Sequence, residues 1–422
     1  MKYIIYLLLL NSTLLYSQSN YKNVKIFESK LGGPCEPSIS INKNNTNEIV
    51  AGSVLDNIHR STDGGTSWET EKLESNLGVY GDPCIISDTK GNFFYFHLSD
   101  PENGGWSSKL LLNQIVVQRS DNCGKTWTDG KGIGNNFPKQ QDKEWATVNQ
   151  NNNEIYVTWT QFDKYNSKSK KDSSLILFSK STDNGETWTK AKRISKFAGN
   201  CRDDDNTVEG AVPAVNLKGE IFVAWAFDEK IYLNKSSDSG RTWFPEEKII
   251  TEQEGGWNYK IKDLNRVNGM PILVCDNSNG PNSGNLYLNW IDHKNGNPDV
   301  FVKYSNDGGN TWSEDIQINT ETKQAEQFFT WMAIDQANGN IHIIYYDNSR
   351  NKDGSFDVIL SSSYDGAKTF QNEVISESPF KVNNKTFFGD YNNIDVHNGL
   401  VRPIWTRMEN KKLSIWTALI KK

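Results

Sequence analysis

The chain has 422 residues, 46 Lys and Arg against 52 Asp and Glu for a formal charge of −6, and 12% aromatic residues including 14 Trp. A net negative chain without a basic cluster excludes the electrostatic footprint of a nucleic-acid binder. Its length alone would suggest two or three domains, but one internal repeat runs through nearly all of it and argues for a single all-β domain.

The first residues read as a leader. Met1 and Lys2 precede an apolar run that is interrupted at Asn11, resumes at Leu14 and reaches Ser17, Gln18 and Ser19, where small residues suit cleavage. This is the pattern of a secretory signal peptide over residues 1–19, too short and too interrupted for a membrane anchor. The expected product is a soluble domain over residues 20–422, secreted or periplasmic, without membrane insertion. Residues 23–27 then read as a strand with no partner nearby in sequence.

Six copies of the pattern Ser-x-Asp-x-Gly-x-Thr-Trp follow, roughly 60 residues apart. They are built on Ser61, Asp63, Gly65 and Trp68; on Ser120, Asp121, Gly124 and Trp127, with one residue fewer between serine and aspartate; on Ser181, Asp183, Gly185 and Trp188; on Ser236, Asp238, Gly240 and Trp243; on Ser305, Asp307, Gly309 and Trp312; and on Ser363, Asp365, Thr369 and Phe370. Each reads as a turn between antiparallel strands, with the aspartate taking the turn's own N–H groups, the glycine at positive φ and the aromatic ring buried beneath. Three strands precede each turn, the third running into it, and one follows, which is the four-stranded blade of a β-propeller. After the sixth copy, residues 391–394, 400–405 and 413–419 supply three more strands without a turn motif. The orphan strand at 23–27 completes that last sheet, so a seven-bladed ring closed by its termini is expected, with no free sheet edge.

Cys35, Cys84, Cys201 and Cys275 lie near the starts of inner strands, and either two disulfides between neighbouring blades (Cys35 with Cys84, Cys201 with Cys275) or four buried thiols fit that placement; Cys123 is left over. Asp203, Asp204 and Asp205 lack the alternating acids of a calcium loop and read as a solvated acidic loop, so no metal or cofactor is expected.

Topology sorts the loops by face. The repeated turns mark one side of the disc as tight, and the longer loops opposite would surround the central funnel, where propeller binding sites gather. Acids stand at the entry of the innermost strand in five blades: Glu36, Asp82, Asp142 with Glu144, Glu209 and Asp390. Arg266, Arg350 and Arg407 occur once each in blades five to seven, where converging guanidiniums would clamp a carboxylate or sulfate and ion pairs with the acids are the alternative. Trp106, Trp257 and Tyr259 in loops are candidates for stacking on sugars or for loop packing.

The repeated motif resembles the Asp-box, or bacterial neuraminidase repeat, of the sialidase-like propeller superfamily. The segments around Trp145, Glu209, Trp331 and Tyr391 add to the likeness. The resemblance implies retaining glycoside hydrolysis with a tyrosine nucleophile. Carried over by residue, Arg266, Arg350 and Arg407 would be the carboxylate clamp, Tyr391 or Tyr259 the nucleophile, Glu209 its base, and Asp100 or Asp82 the acid; Glu36, Glu144, Asp390, Trp106 and Trp257 would line the substrate. The expected partner is an anionic glycan. A non-catalytic propeller binding glycan or protein through the same face is the second expectation, since the motif also occurs in propellers with other tasks.

Overall fold

A computed structural model describes residues 20–29, 33–320 and 324–422; the leader expected at 1–19 lies outside them. Seven antiparallel sheets form the blades of a propeller. The innermost strands are Ser38–Ile41, Cys84–Ser87, Gln140–Val148, Glu209–Val215, Ile272–Cys275, Gln327–Asp335 and Asn393–His397. Each of the first six blades runs outward in chain order through four strands. The seventh is closed from outside by Asn23–Glu28, which pairs antiparallel with Lys412–Ala418. A clasp reinforces this closure: the Tyr21 hydroxyl donates to Glu373 at 2.9 Å and Lys422 Nζ donates to that hydroxyl at 2.8 Å.

The second strand of blades three to seven carries one large aromatic residue at the same register, Trp159, Trp225, Trp290, Tyr345 and Trp405, each at most 1% exposed. Such a ring fills the space between neighbouring sheets, and burying each side chain contributes about 2–3 kcal/mol.

The repeated turns share one hydrogen-bond pattern. In blade four, Gly240 N–H donates to Ser236 Oγ at 2.8 Å, Ser236 donates to Asp238 at 2.9 Å, and Thr242 N–H and Oγ1–H donate to Asp238 at 2.8 and 2.6 Å. Blade two corrects the sequence reading. There Asn122, not Asp121, takes the bonds from Ser120 and from Thr126 N–H, each at 2.9 Å. The spacing is therefore not shortened, because the turn accepts an amide oxygen where the other copies have a carboxylate.

All five cysteines are free and buried, so neither pairing forms. The three consecutive acids point apart, as expected of residues without alternating spacing: Asp203 accepts from Tyr165, Asp204 from Asn200 and Asp205 from Asn258 N–H. Only Asp203 departs from the solvated-loop reading, at 7% exposure.

Candidate functional site at the mouth opposite the repeated turns

The inner strands enter the funnel through left-handed residues. Glu36, Asp82 and Lys143 have φ of 53, 49 and 53°, and the pairing of strands one and two shifts register between Asp142 and Trp145 and between Glu209 and Val212. A bulge of this kind turns a strand and re-aims its side chains, and non-glycine residues at positive φ mark stored strain. The result is a buried, mixed-charge cluster across the mouth.

Lys143 Nζ lies 2.6 Å from Asp390 Oδ2 and 3.2 Å from Asp82 Oδ2. Arg266 reaches in from a hairpin (Asn258–Ile261 and Leu264–Asn268) inserted between blades four and five. Its terminal nitrogens bond Asp203 Oδ2 and Asp390 Oδ2, each at 2.8 Å. Asp390 Oδ2 thus joins both cations. Asp203 also accepts from the Tyr165 hydroxyl at 2.8 Å and from Trp257 Nε1 at 3.2 Å.

These contacts divide the acids into two kinds. Burial pushes the Asp203 carboxyl up, but Arg266, Lys143 and Tyr165 outweigh it and hold the group below the usual carboxylate range. Glu209 has no donor on either oxygen, and burial, reinforced by the charges of Asp203 and Asp142, raises its pKa well above the ordinary value. Burial likewise raises Glu36, Asp142 and Glu144. Lys143 stays charged because Asp390, Asp82 and Asp142 outweigh its own desolvation. Neighbouring carboxyls whose pKa values are pushed in opposite directions are the arrangement acid–base chemistry uses.

The structure therefore brings together Glu36, Asp82, Glu144, Glu209, Arg266 and Asp390 of the residues singled out by sequence. Others lie elsewhere. Arg407, on the second strand of blade seven (Leu400–Glu409), bonds Ser378 and Glu409 and stacks over Trp416, and Arg350 is exposed in a loop of blade six; neither joins the ion pairs that Arg266 makes, so the three do not form a clamp. The Tyr391 hydroxyl donates to the Pro83 carbonyl at 3.3 Å, and its ring packs 5.0 Å from Trp145. Burial, then the charges of Asp82, Glu36 and Glu144, push that phenol well above its ordinary pKa, as burial and the charges of Asp203 and Asp142 do for Tyr165. Tyr259 is buried against His293, its pKa raised by burial and then by Glu326. Trp257 is 1% exposed and supports Asp203 instead of facing sugar. Asp100 fastens its own loop, accepting from Gly105 N–H at 2.7 Å.

Sequence reasoning missed Lys143 and Tyr165. Lys143 had a signal, being basic where blades one and two place an acid at the same bulge position. Tyr165 had none, since it lies in a lysine- and serine-rich stretch that reads as a solvated loop.

No family model matches the chain. It is similar to a curated sialidase of Bacteroides fragilis (strain YCH46), 25% identical over 296 residues, covering 62% of this chain and 48% of that protein. A sialidase of Paraclostridium sordellii is 27% identical over 206 residues, covering 44% of this chain and 48% of that protein. Both matches make the chain similar to sialidases. The chain spans about half the length of the curated relatives it matches. Among solved structures, the Hadza microbial sialidase Hz136 superposes with a TM-score of 0.50 at 15% identity, covering 88% of this chain and 73% of that one, a likeness of fold.

Proposed function

We propose that the chain is an exported glycoside hydrolase acting on an anionic glycan, of which a sialoside is the first to test. One observation carries the reading: a tyrosine hydroxyl, a carboxylate and a guanidinium stand in line at the mouth, Tyr165 to Asp203 to Arg266, with both links at 2.8 Å. A tyrosine paired with a carboxylate beside an arginine is the arrangement that retaining hydrolysis of this type uses.

In this reading Arg266, a third exposed, takes the ligand's carboxylate. Tyr165 Oη attacks the anomeric carbon while its proton passes to Asp203. The glycosidic bond breaks, and Glu209, the acid of the cluster whose pKa burial raises, gives a proton to the leaving oxygen. Water then cleaves the tyrosyl–sugar bond, returning one proton to Glu209 as the proton on Asp203 goes back to Tyr165. The named relatives and the leader-like residues 1–19 support the reaction class and export. A second reading, glycan binding without turnover, is favoured by one fact: protein carboxylates already occupy both terminal nitrogens of Arg266.

The test is hydrolysis of a fluorogenic sialoside by the purified chain and by Tyr165→Phe. Turnover that falls at least about 10³-fold in the variant is expected for loss of a nucleophile. Binding without turnover would leave the second reading, and turnover that survives Tyr165→Phe would remove the tyrosine from the chemistry. Recovery of the chain from the extracellular or periplasmic fraction checks export.

A further inference from the structure

Burial along the seven innermost strands is uneven. Ile86, Ala146, Val148, Val274 and Ala333 keep partial exposure on strands that are otherwise largely buried, because they line a central channel of about 500 Å³ to which all seven blades contribute. The channel opens on the face of the repeated turns, where each inner strand passes into the second strand of its blade. Its inner end is closed by rings. Trp145 and Trp331, with centroids 4.3 Å apart, both pack on Tyr391, at 5.0 and 6.1 Å. Lys143 and Glu144, which precede Trp145 on the same strand, belong to the charged cluster at the mouth, so this floor separates the channel from the mouth.

The rim is tied all the way round. Asn44 Nδ2 donates to the Thr89 carbonyl at 2.9 Å and Thr89 N–H donates to Asn153 Oδ1 at 3.0 Å, joining blades one, two and three. Asn151 Nδ2 donates to the Leu217 carbonyl at 2.6 Å, Asn277 Nδ2 to the Val215 carbonyl at 2.9 Å and Asn277 N–H to Gln336 Oε1 at 2.7 Å, carrying the bonds to blade six. Gly399 N–H on Asp335 at 2.7 Å and Lys43 Nζ on Asp395 at 2.8 Å complete the circle through blade seven. A closed belt of this kind keeps the opening in shape before any ligand arrives, which removes an ordering cost from binding. Lys43 and Asp395 are the charged side chains of the lining and neutralise each other. His397 beside them is held below its ordinary pKa by burial and then by the charge of Lys43.

We propose that the channel is a second ligand site, taking an uncharged and largely apolar ring compound from the face of the repeated turns. Preformed concave sites of this size, with apolar walls and a few polar groups at the edge, are what small apolar ligands occupy. A rim without net charge offers nothing to an ion that must shed its water there, whereas an apolar ring displaces weakly held water from aliphatic walls. The site stands independently of the hydrolase reading, because the ring floor divides it from the cluster that holds Arg266.

Titration with N-phenylnaphthylamine, an uncharged apolar fluorophore, provides the test, its emission excited through tryptophan. Saturable binding by the purified chain is expected. Ala333→Trp and Val274→Phe fill the channel from different blades, and each is expected to weaken binding at least about tenfold, since close-packed space excludes a further ring. Trp106→Ala removes an indole that is 70% exposed on the blade-two loop at the opposite face, and is expected to leave binding unchanged. Circular dichroism shows which substitutions leave the fold intact. No saturable binding, binding that survives both fillings in folded chains, or binding lost with Trp106 would overturn the site. The sulfonated analogue anilinonaphthalene sulfonate tests the ligand class: tighter binding of this anion, abolished by filling the channel, would overturn the preference for an uncharged ligand.

Discussion

Glu209 and Asp203 are both almost wholly buried acids, yet their surroundings treat them differently. Asp203 has a guanidinium, a phenol and an indole N–H aimed at it, whereas Glu209 has no donor. Because the folded state raises the pKa of Glu209, this residue favours folding most below its unfolded value, about pH 4.3, and loses that contribution as pH rises toward the folded value. Glu209→Gln removes the cost of ionising a buried acid. Its melting temperature, followed by circular dichroism, is expected to exceed that of the unmodified chain at about pH 8, the gap closing toward about pH 4. A Glu209→Gln chain that melts lower throughout would show that the carboxyl is held by bonds this site lacks. At this scale the sequence placed the acids at the mouth, because their position before each inner strand repeats. It did not reveal their partners: Lys143, Arg266 and Tyr165 meet Asp390 and Asp203 from segments distant in sequence.

The turn is the element on which the fold is written. Its Ser, Asp, Gly and Thr contacts all lie within five or so residues, so a short pattern suffices to find it, and the Asn122 register is the one place where the pattern misled. An amide offers one acceptor oxygen, and Asn122 Nδ2 must donate to Thr126 where other copies accept. Asn122→Asp is expected to raise the unfolding free energy by about 1 kcal/mol at neutral pH, the gain from replacing neutral hydrogen bonds by charged ones. Asp238 shows the sign of the pH dependence. Bonds from Thr242 lower it to about 2, so the contribution is complete above the unfolded value near 3.9 and is lost as pH falls through about 2. Chemical denaturation of Asn122→Asp at neutral and acid pH checks both statements. The bulges at the inner strands were less legible, since a left-handed Glu36, Asp82 or Lys143 carries no local signature as glycine would.

Across the whole molecule, closure is set by one short strand. Asn23–Glu28 covers the outer edge of Lys412–Ala418 over a register that runs from Asn23 opposite Ala418 to Glu28 opposite Ser414. Deleting residues 20–28 is expected to lower the melting temperature and to produce concentration-dependent self-association in size-exclusion chromatography, as the exposed edge seeks another strand; a monomer of unchanged stability would place the closure elsewhere. Blade number, strand order and this closure were determined by the sequence alone, because each depends on a repeated local pattern and on a count of strands without partners. The functional mouth was decided by tertiary structure. Which of three arginines faces the funnel, which tyrosine meets a carboxylate and which acids have raised pKa values depend on burial and on distances between different blades. Local sequence patterns do not encode those quantities, since loops of unlike length and composition supply the groups that meet there.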